Sequence, residues 1–276
     1  MGEITMNINK MKNHVKSTVV IALLSFPVFA FSQKAKEIRR YKVAEAKQAA
    51  AVDKDYFYEI NNSTIVKHRK DDGKEVAKWD GTAEGIKHLN SGNVINGKLY
   101  CANSNFPEQP MTGAIEIFDV KTLSHIGTHS FGIGNGSVTW IDEHDGYWWL
   151  GFASYSGKYA ADGKDTRWTS LVKYTKDWIQ VEAWVYPENI IKEFMPMSNS
   201  GGSWGKDGHL YCTGHDKEEL YVMKLPKSGY TLEYVKTIPT TIHGQGIAVD
   251  RTVKDKLVVY GISERKDSSI VVNEIE

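Results

Sequence analysis

The chain writes one passage twice. Residues 90–101 run NSGNVINGKLYC and residues 199–212 run NSGGSWGKDGHLYC. Both begin Asn-Ser-Gly, pass through a glycine-containing turn and end Gly-x-Leu-Tyr-Cys. A supersecondary unit repeated at this distance buries its apolar face by stacking on its neighbours, so the chain is modular. Weaker relatives complete the series. GNGSVTW at 134–140 leads through EHDG to YWWL at 147–150, GQGIAV at 244–249 leads to LVVY at 257–260, and QAAAV at 48–52 leads through DKD to YFY at 56–58. Each is a strand of small residues, a polar turn and an aromatic or aliphatic strand. Their spacing of about 40–60 residues is that of propeller blades.

Two more strands follow in most units. Residues 114–119 and 125–131 alternate in the second, 170–174 and 180–184 in the third, and 220–225 and 233–238 in the fourth. The fifth stops one strand short, at 269–275, while residues 37–43 form an unclaimed strand ahead of the first. Pairing these two closes a ring and leaves only short edges. The expected fold is an all-β five-bladed propeller of four-stranded antiparallel blades, closed by the N-terminal strand. Cys101 and Cys212 sit at matching places in non-adjacent units. A disulfide needs Cα atoms within about 7 Å, so both are expected to be unpaired core residues.

Lys10, Lys12, His14 and Lys16 precede an apolar run at 18–31, and Ala30-Phe31-Ser32 fits a small-x-small cleavage site. The run is short for a membrane span and contains Pro27. Residues 1–32 are therefore read as a signal peptide and 33–276 as one propeller domain. The expected product is periplasmic or extracellular, off the membrane after cleavage, and monomeric. Lys+Arg and Asp+Glu are equal at 34 each, which supplies no field for nucleic acid.

In a propeller the loops before the inner strands and after the second strands share one face, the top. There the sequence places His88, Asn90, Asn135, Asn199, His243 and Gln245 around the axis. Glu108, Tyr155, Arg167 and His215 stand in longer loops outside them. Loops set on a rigid scaffold are where function concentrates. Histidine titrates near neutrality, so His88 and His243 are the candidate catalytic bases. Asn90, Asn135, Asn199, Gln245, Glu108, Tyr155, Arg167 and His215 are the candidate substrate contacts. His88, His215 and His243 together could bind a divalent metal such as zinc, although no HExxH-type spacing supports it. Paired acids for glycoside hydrolysis are not indicated, and neither Ser91 nor Ser200 lies in a nucleophile elbow. The hairpin aspartates Asp53, Asp55, Asp142, Asp145, Asp207 and Asp250 fall on the opposite face, where turn chemistry accounts for them.

The passages NSGNVINGKLYCANSNFPEQPMT, WIDEHDGYWWLGFASYSG, PMSNSGGSWGKDGHLYCTGHDKEELYV and HGQGIAVD resemble a family of exported bacterial propeller proteins. Some of its members carry a loose cycloisomerase-type label. The resemblance implies the propeller fold and hardly bears on the reaction; a sugar-derived or lactone-like compound is the expected ligand class of an enzyme reading. The resemblance brings no catalytic residues. Two functions stay open: a hydrolase, lyase or isomerase acting at the top of the axis, and a non-catalytic propeller binding a glycan or a protein there.

Overall fold

The computed structural model describes Gly2 and residues 34–276, so the signal-peptide segment at 1–32 falls outside the described residues apart from Gly2. Twenty strands follow in order. The first, β1 (Ala35–Lys42), precedes blade one, which is β2 (Ala49–Val52), β3 (Tyr56–Asn61), β4 (Thr64–Arg69) and β5 (Glu75–Asp80). Blade two is β6 (His88–Ile95), β7 (Lys98–Ser104), β8 (Gly113–Asp119) and β9 (His125–Gly132). Blade three is β10 (Ser137–His144), β11 (Tyr147–Ala153), β12 (Ser170–Tyr174) and β13 (Gln180–Val185). Blade four is β14 (Gly201–Trp204), β15 (Leu210–Thr213), β16 (Glu219–Lys224) and β17 (Glu233–Pro239). Blade five is β18 (Ala248–Val249), β19 (Leu257–Ile262) and β20 (Ser269–Ile275), and β1 supplies its outer strand. The five-bladed propeller and its closure by the N-terminal strand are as the repeat pattern implied. A short helix, α1 (Glu188–Phe194), bridges blades three and four and was not evident from the sequence. No helix among the described residues is long and apolar enough to cross a membrane.

The core is divided into layers between blades, because side chains alternate faces along every strand. Tyr58, Ile60 and Ile65 of blade one meet Leu99, Cys101 and Phe118 of blade two. Trp140, Trp149 and Leu171 of blade three meet Trp204, Leu210 and Cys212 of blade four. Phe57 and Val52 of blade one meet Tyr260 and Val272 of blade five, with Tyr41 of β1 filling the seam. Cys101 and Cys212 thus lie in different seams, fully buried and free. The doubled passage superposes only in part. Gly92 pairs with Cys101 and Gly202 pairs with Cys212, yet a bulge between Leu89 and Ser91 shifts the start of β6. Asn90 and Asn199 are consequently not equivalent.

The inner strands nearly meet. A Cβ on Gly246 would stand 2.5 Å from Ala49 Cβ, 2.8 Å from Ser91 Cβ and 2.9 Å from the Asn90 carbonyl oxygen. Such a close approach of three blades leaves room for glycine alone. The inner strands of blades one, two and five are therefore in close contact at Gly246.

The other end is closed by polar groups. Asp142, fully buried on β10, accepts from Asn93 of blade two at 2.8 Å, and from Ser203 at 3.1 Å and the Trp204 amide at 2.8 Å in blade four. Arg251, just past β18, also reaches it. This corrects the turn assignment of Asp142, which is a strand residue tying four blades. Asp53 and Asp207 do hold turns: Asp53 accepts the Asp55 and Tyr56 amides and the Tyr58 hydroxyl at 2.6 Å, and Asp207 the His209 amide and the Tyr211 hydroxyl at 2.8 Å.

Candidate functional site

At the top of the axis four blades contribute two hydrogen-bonded polar sets, one around His88 and one around His215. His88 opens β6, and its Nδ1 lies 2.8 Å from Asn62 Oδ1 in the turn between β3 and β4. The Asn62 amide nitrogen is given to Asn61 at 3.2 Å, and its oxygen also accepts from Gln48 at 3.2 Å. That assignment makes Oδ1 the acceptor, so His88 Nδ1 carries the proton and Nε2 keeps its lone pair. Nε2 has no hydrogen-bond partner among the described residues. Burial, with Arg265 and then His215 close by, brings the His88 pKa down to about 4. The ring is neutral at physiological pH.

His215 sits on the loop after β15. That loop is clamped by residues 244 and 245: the Gln245 amide donates to the Gly214 carbonyl at 2.9 Å, the Gly244 amide to Lys217 at 3.0 Å, and the Gln245 side chain to the His215 carbonyl at 2.9 Å. Gln245 adopts φ 63°, a left-handed conformation uncommon for a non-glycine residue. The clamp holds it there. Gln245 therefore acts on His215 and has its amide nitrogen committed. His215 Nδ1 is 2.6 Å from Asp216, and Arg265 donates to its Nε2 at 3.2 Å. Burial lowers the His215 pKa more than Asp216 raises it. His243 is half-buried in the loop before β18, held by its amide on the Ile262 carbonyl at 2.9 Å, and near enough to weigh on His215.

An aromatic wall continues from this group. The His88 ring lies 5.3 Å from Phe106, which lies 4.8 Å from Tyr155 and 5.0 Å from Tyr159. Met111 and Met197 pack against them. Burial pushes the Tyr155 hydroxyl up to about 12, so that side chain stays uncharged. Behind it is a cleft of about 500 Å³ lined by Met111, Gly136, Tyr155, Asp162 and Lys164.

The remaining candidates lie elsewhere. Asn199 is fully buried. Its oxygen takes the Trp140 indole and the Tyr186 hydroxyl, and its nitrogen goes to the carbonyls of Gly201 and Thr213. Nothing of it is left for a ligand. Asn90 is buried in the bulge and donates across the seam to the Val138 carbonyl at 2.8 Å. Asn135 and Arg167 line a separate outer cleft with Trp168 and Lys164, and Arg167 is forked onto Asp165 at 2.7 Å. Glu108 pairs with Lys87 at 2.8 Å on the surface. Among the described residues no three His, Cys, Asp or Glu side chains are grouped to hold a metal ion. His215 has both ring nitrogens engaged, one by a guanidinium, which a cation there would repel. The three-histidine metal arrangement is not formed.

Two residues of the mouth were missed from the sequence. Asn62 follows from applying the top-loop rule to blade one as to the others. Arg265 lies in a charged run, 264–267, where nothing in the sequence distinguishes it from its neighbours.

No protein-family model matches the chain, and no curated protein does. Solved structures do. The glutaminyl cyclase of Myxococcus xanthus is similar with a TM-score of 0.60 at 12% identity, over 88% of this chain and 97% of that one. The PQQ-bound aldose sugar dehydrogenase of Streptomyces coelicolor is similar with a TM-score of 0.54 at 12% identity, over 88% of this chain and 98% of that one. Both are propeller enzymes, and at this identity the likeness establishes the fold.

Proposed function

We propose that this chain is an exported propeller with a small-molecule site at the top of its axis. The site acts as a hydrolase, lyase or isomerase on a sugar-derived or lactone-like compound. The observation that carries this is His88: an imidazole whose Nδ1 is fixed by Asn62 and whose Nε2 has no partner among the described residues, beside Phe106 and with Arg265 close by. Such a pocket pairs apolar surface with a few convergent polar groups. His88 would accept a proton or hold a ligand hydroxyl, and bound negative charge would raise its pKa toward the range useful for general base catalysis. Export rests on the basic and apolar segments before residue 33.

The test is turnover of a panel of aldonolactones and sugar esters by the wild type, His88→Ala and His243→Ala, with affinity measured in parallel. An enzyme loses turnover at His88→Ala and keeps ligand affinity within roughly tenfold. Unchanged turnover and affinity in both variants would remove the mouth as the site. The second reading, a propeller that binds a glycan without chemistry, is favoured by Trp168. It is 57% exposed in the outer cleft beside Asn135 and Arg167, available to stack on a sugar ring.

A further inference from the structure

The loop between β19 and β20 carries four charged residues in a row, Glu264 to Asp267. Three are spent within the protein. Lys266 pairs with Glu264 at 2.9 Å, and Asp267 takes Arg40 at 2.6 Å and also Lys42. Arg265 has no ion pair among the described residues and gives one hydrogen bond, to His215 Nε2. A guanidinium only donates, so that bond fixes the imidazole: Nε2 accepts, and Nδ1 carries the proton that goes to Asp216. Asp216, His215 and Arg265 form a line that steadies one edge of the guanidinium and leaves its other N–H groups unspent. Arg265 and His215, from the loops of blades five and four, lie close enough to His88 to act on its ring. Beside this stands the unspent lone pair of His88 Nε2, which wants a donor.

We infer that the mouth recognises a hydroxy acid, its carboxylate on Arg265 and one of its hydroxyls donating to His88 Nε2. This deepens the small-molecule reading and rests on it. The pairing has a chemical logic, because a hydroxy acid is the ring-opened form of a lactone. Arg265 is the specificity residue, since guanidinium geometry matches a carboxylate with two parallel bonds. His215 is a positioning residue, aligned by Asp216 and by the Gln245 clamp. Phe106 takes the carbon skeleton.

Three probes separate the contributions: sodium gluconate, glucitol, which keeps hydroxyls and lacks the carboxylate, and sodium propionate, which has only the carboxylate. Each is titrated against the full chain while the histidine ring signals are followed by NMR. Gluconate is expected to move the signals of His88 and His215 and to bind at least about tenfold more tightly than either other probe, as hydrogen bonds to charged groups imply. Arg265→Gln should erase the advantage of gluconate over glucitol, and Arg265→Lys, which keeps the charge without the fork, should restore part of it. Asp216→Asn should weaken gluconate and leave glucitol unchanged, which a purely structural role would not do. Glucitol binding as well as gluconate overturns carboxylate recognition while the small-molecule site stands. A gluconate affinity unchanged in Arg265→Gln, or no response of either histidine to gluconate, also overturns it, and the lactone turnover panel then decides the site independently.

Discussion

Arg251 and Asp142 meet from blades that are not neighbours in the ring. One stands just past the inner strand of blade five and the other on the inner strand of blade three, so their bond crosses the axis. Asp142 is fully buried, and proximity to it raises the Arg251 pKa despite burial. Removing the carboxylate strands Arg251 together with the Asn93, Ser203 and Trp204 donors. Asp142→Ala is expected to cost about 3 kcal/mol, the lower end for breaking a buried pair, because a third of the Arg251 side chain remains exposed. Arg251→Ala should cost less. A double-mutant cycle by urea denaturation measures the coupling, and additive losses would show the two groups to be independent.

Gly246 lies where the inner strands of blades one, two and five meet. Its missing Cβ faces the Ala49 and Ser91 side chains and the Asn90 carbonyl, none of which is a flexible chain end. Gly246→Ala should destabilise by about 1–3 kcal/mol, the range for overpacking. Gly134→Ala, where a Cβ would meet open space, should be close to neutral by the same thermal melts.

His88 gives a pH dependence with a definite sign. Its folded pKa, about 4, lies below the ordinary histidine value near 6.5. The unfolded chain therefore binds the proton more readily between those values. The stability due to a neutral His88 is fully present above pH ~6.5 and is lost as the pH falls through about 4. The difference is on the order of 3 kcal/mol at most, at about 1.4 kcal/mol per pKa unit. His88→Gln should flatten that part of the stability profile from pH 7 to 4. A slope unchanged in the variant would assign it to other groups.

Cys101 and Cys212 should resist thiol reagents in the native protein. Both are fully buried, and burial raises both thiols, Cys212 to about 12. Labelling of both is expected only after denaturation, with identical mobility on reducing and non-reducing gels. Rapid native labelling would place one of them at a mobile seam.

Export is checked by the N-terminus of protein recovered outside the cytoplasm. Cleavage after Ser32 would leave Gln33 first, two residues ahead of β1. Retention of residues 18–31 on a membrane-bound product would show an anchor instead.

The architecture was legible because it rests on local rules. Strand alternation and turn residues mark the blades, and an orphan strand ahead of the first blade with the last blade one strand short implies closure. The site was less so, because a polar side chain's partner is chosen across seams that the sequence does not display. Asn90 and Asn199 occur in identical tripeptides, yet a one-residue bulge sends one to the next blade and leaves the other holding Trp140. Asp142 reads as a turn residue from its neighbours His144, Asp145 and Gly146, and only the ring shows that it points at the axis. Arg265 matters through what it faces, which spacing does not encode.

The seam between β1 and β20 also decides how the molecule can be presented. Ala35 pairs with Ile275, and the Glu276 amide donates to the Lys34 carbonyl at 2.9 Å. Lys34 and Glu276 therefore lie together, at the end of the ring where Asp142 lies and opposite His88. A bead, a surface or a fused partner attached through Glu276 would hold the propeller by its base, with the His88 end turned outward to the surrounding solution.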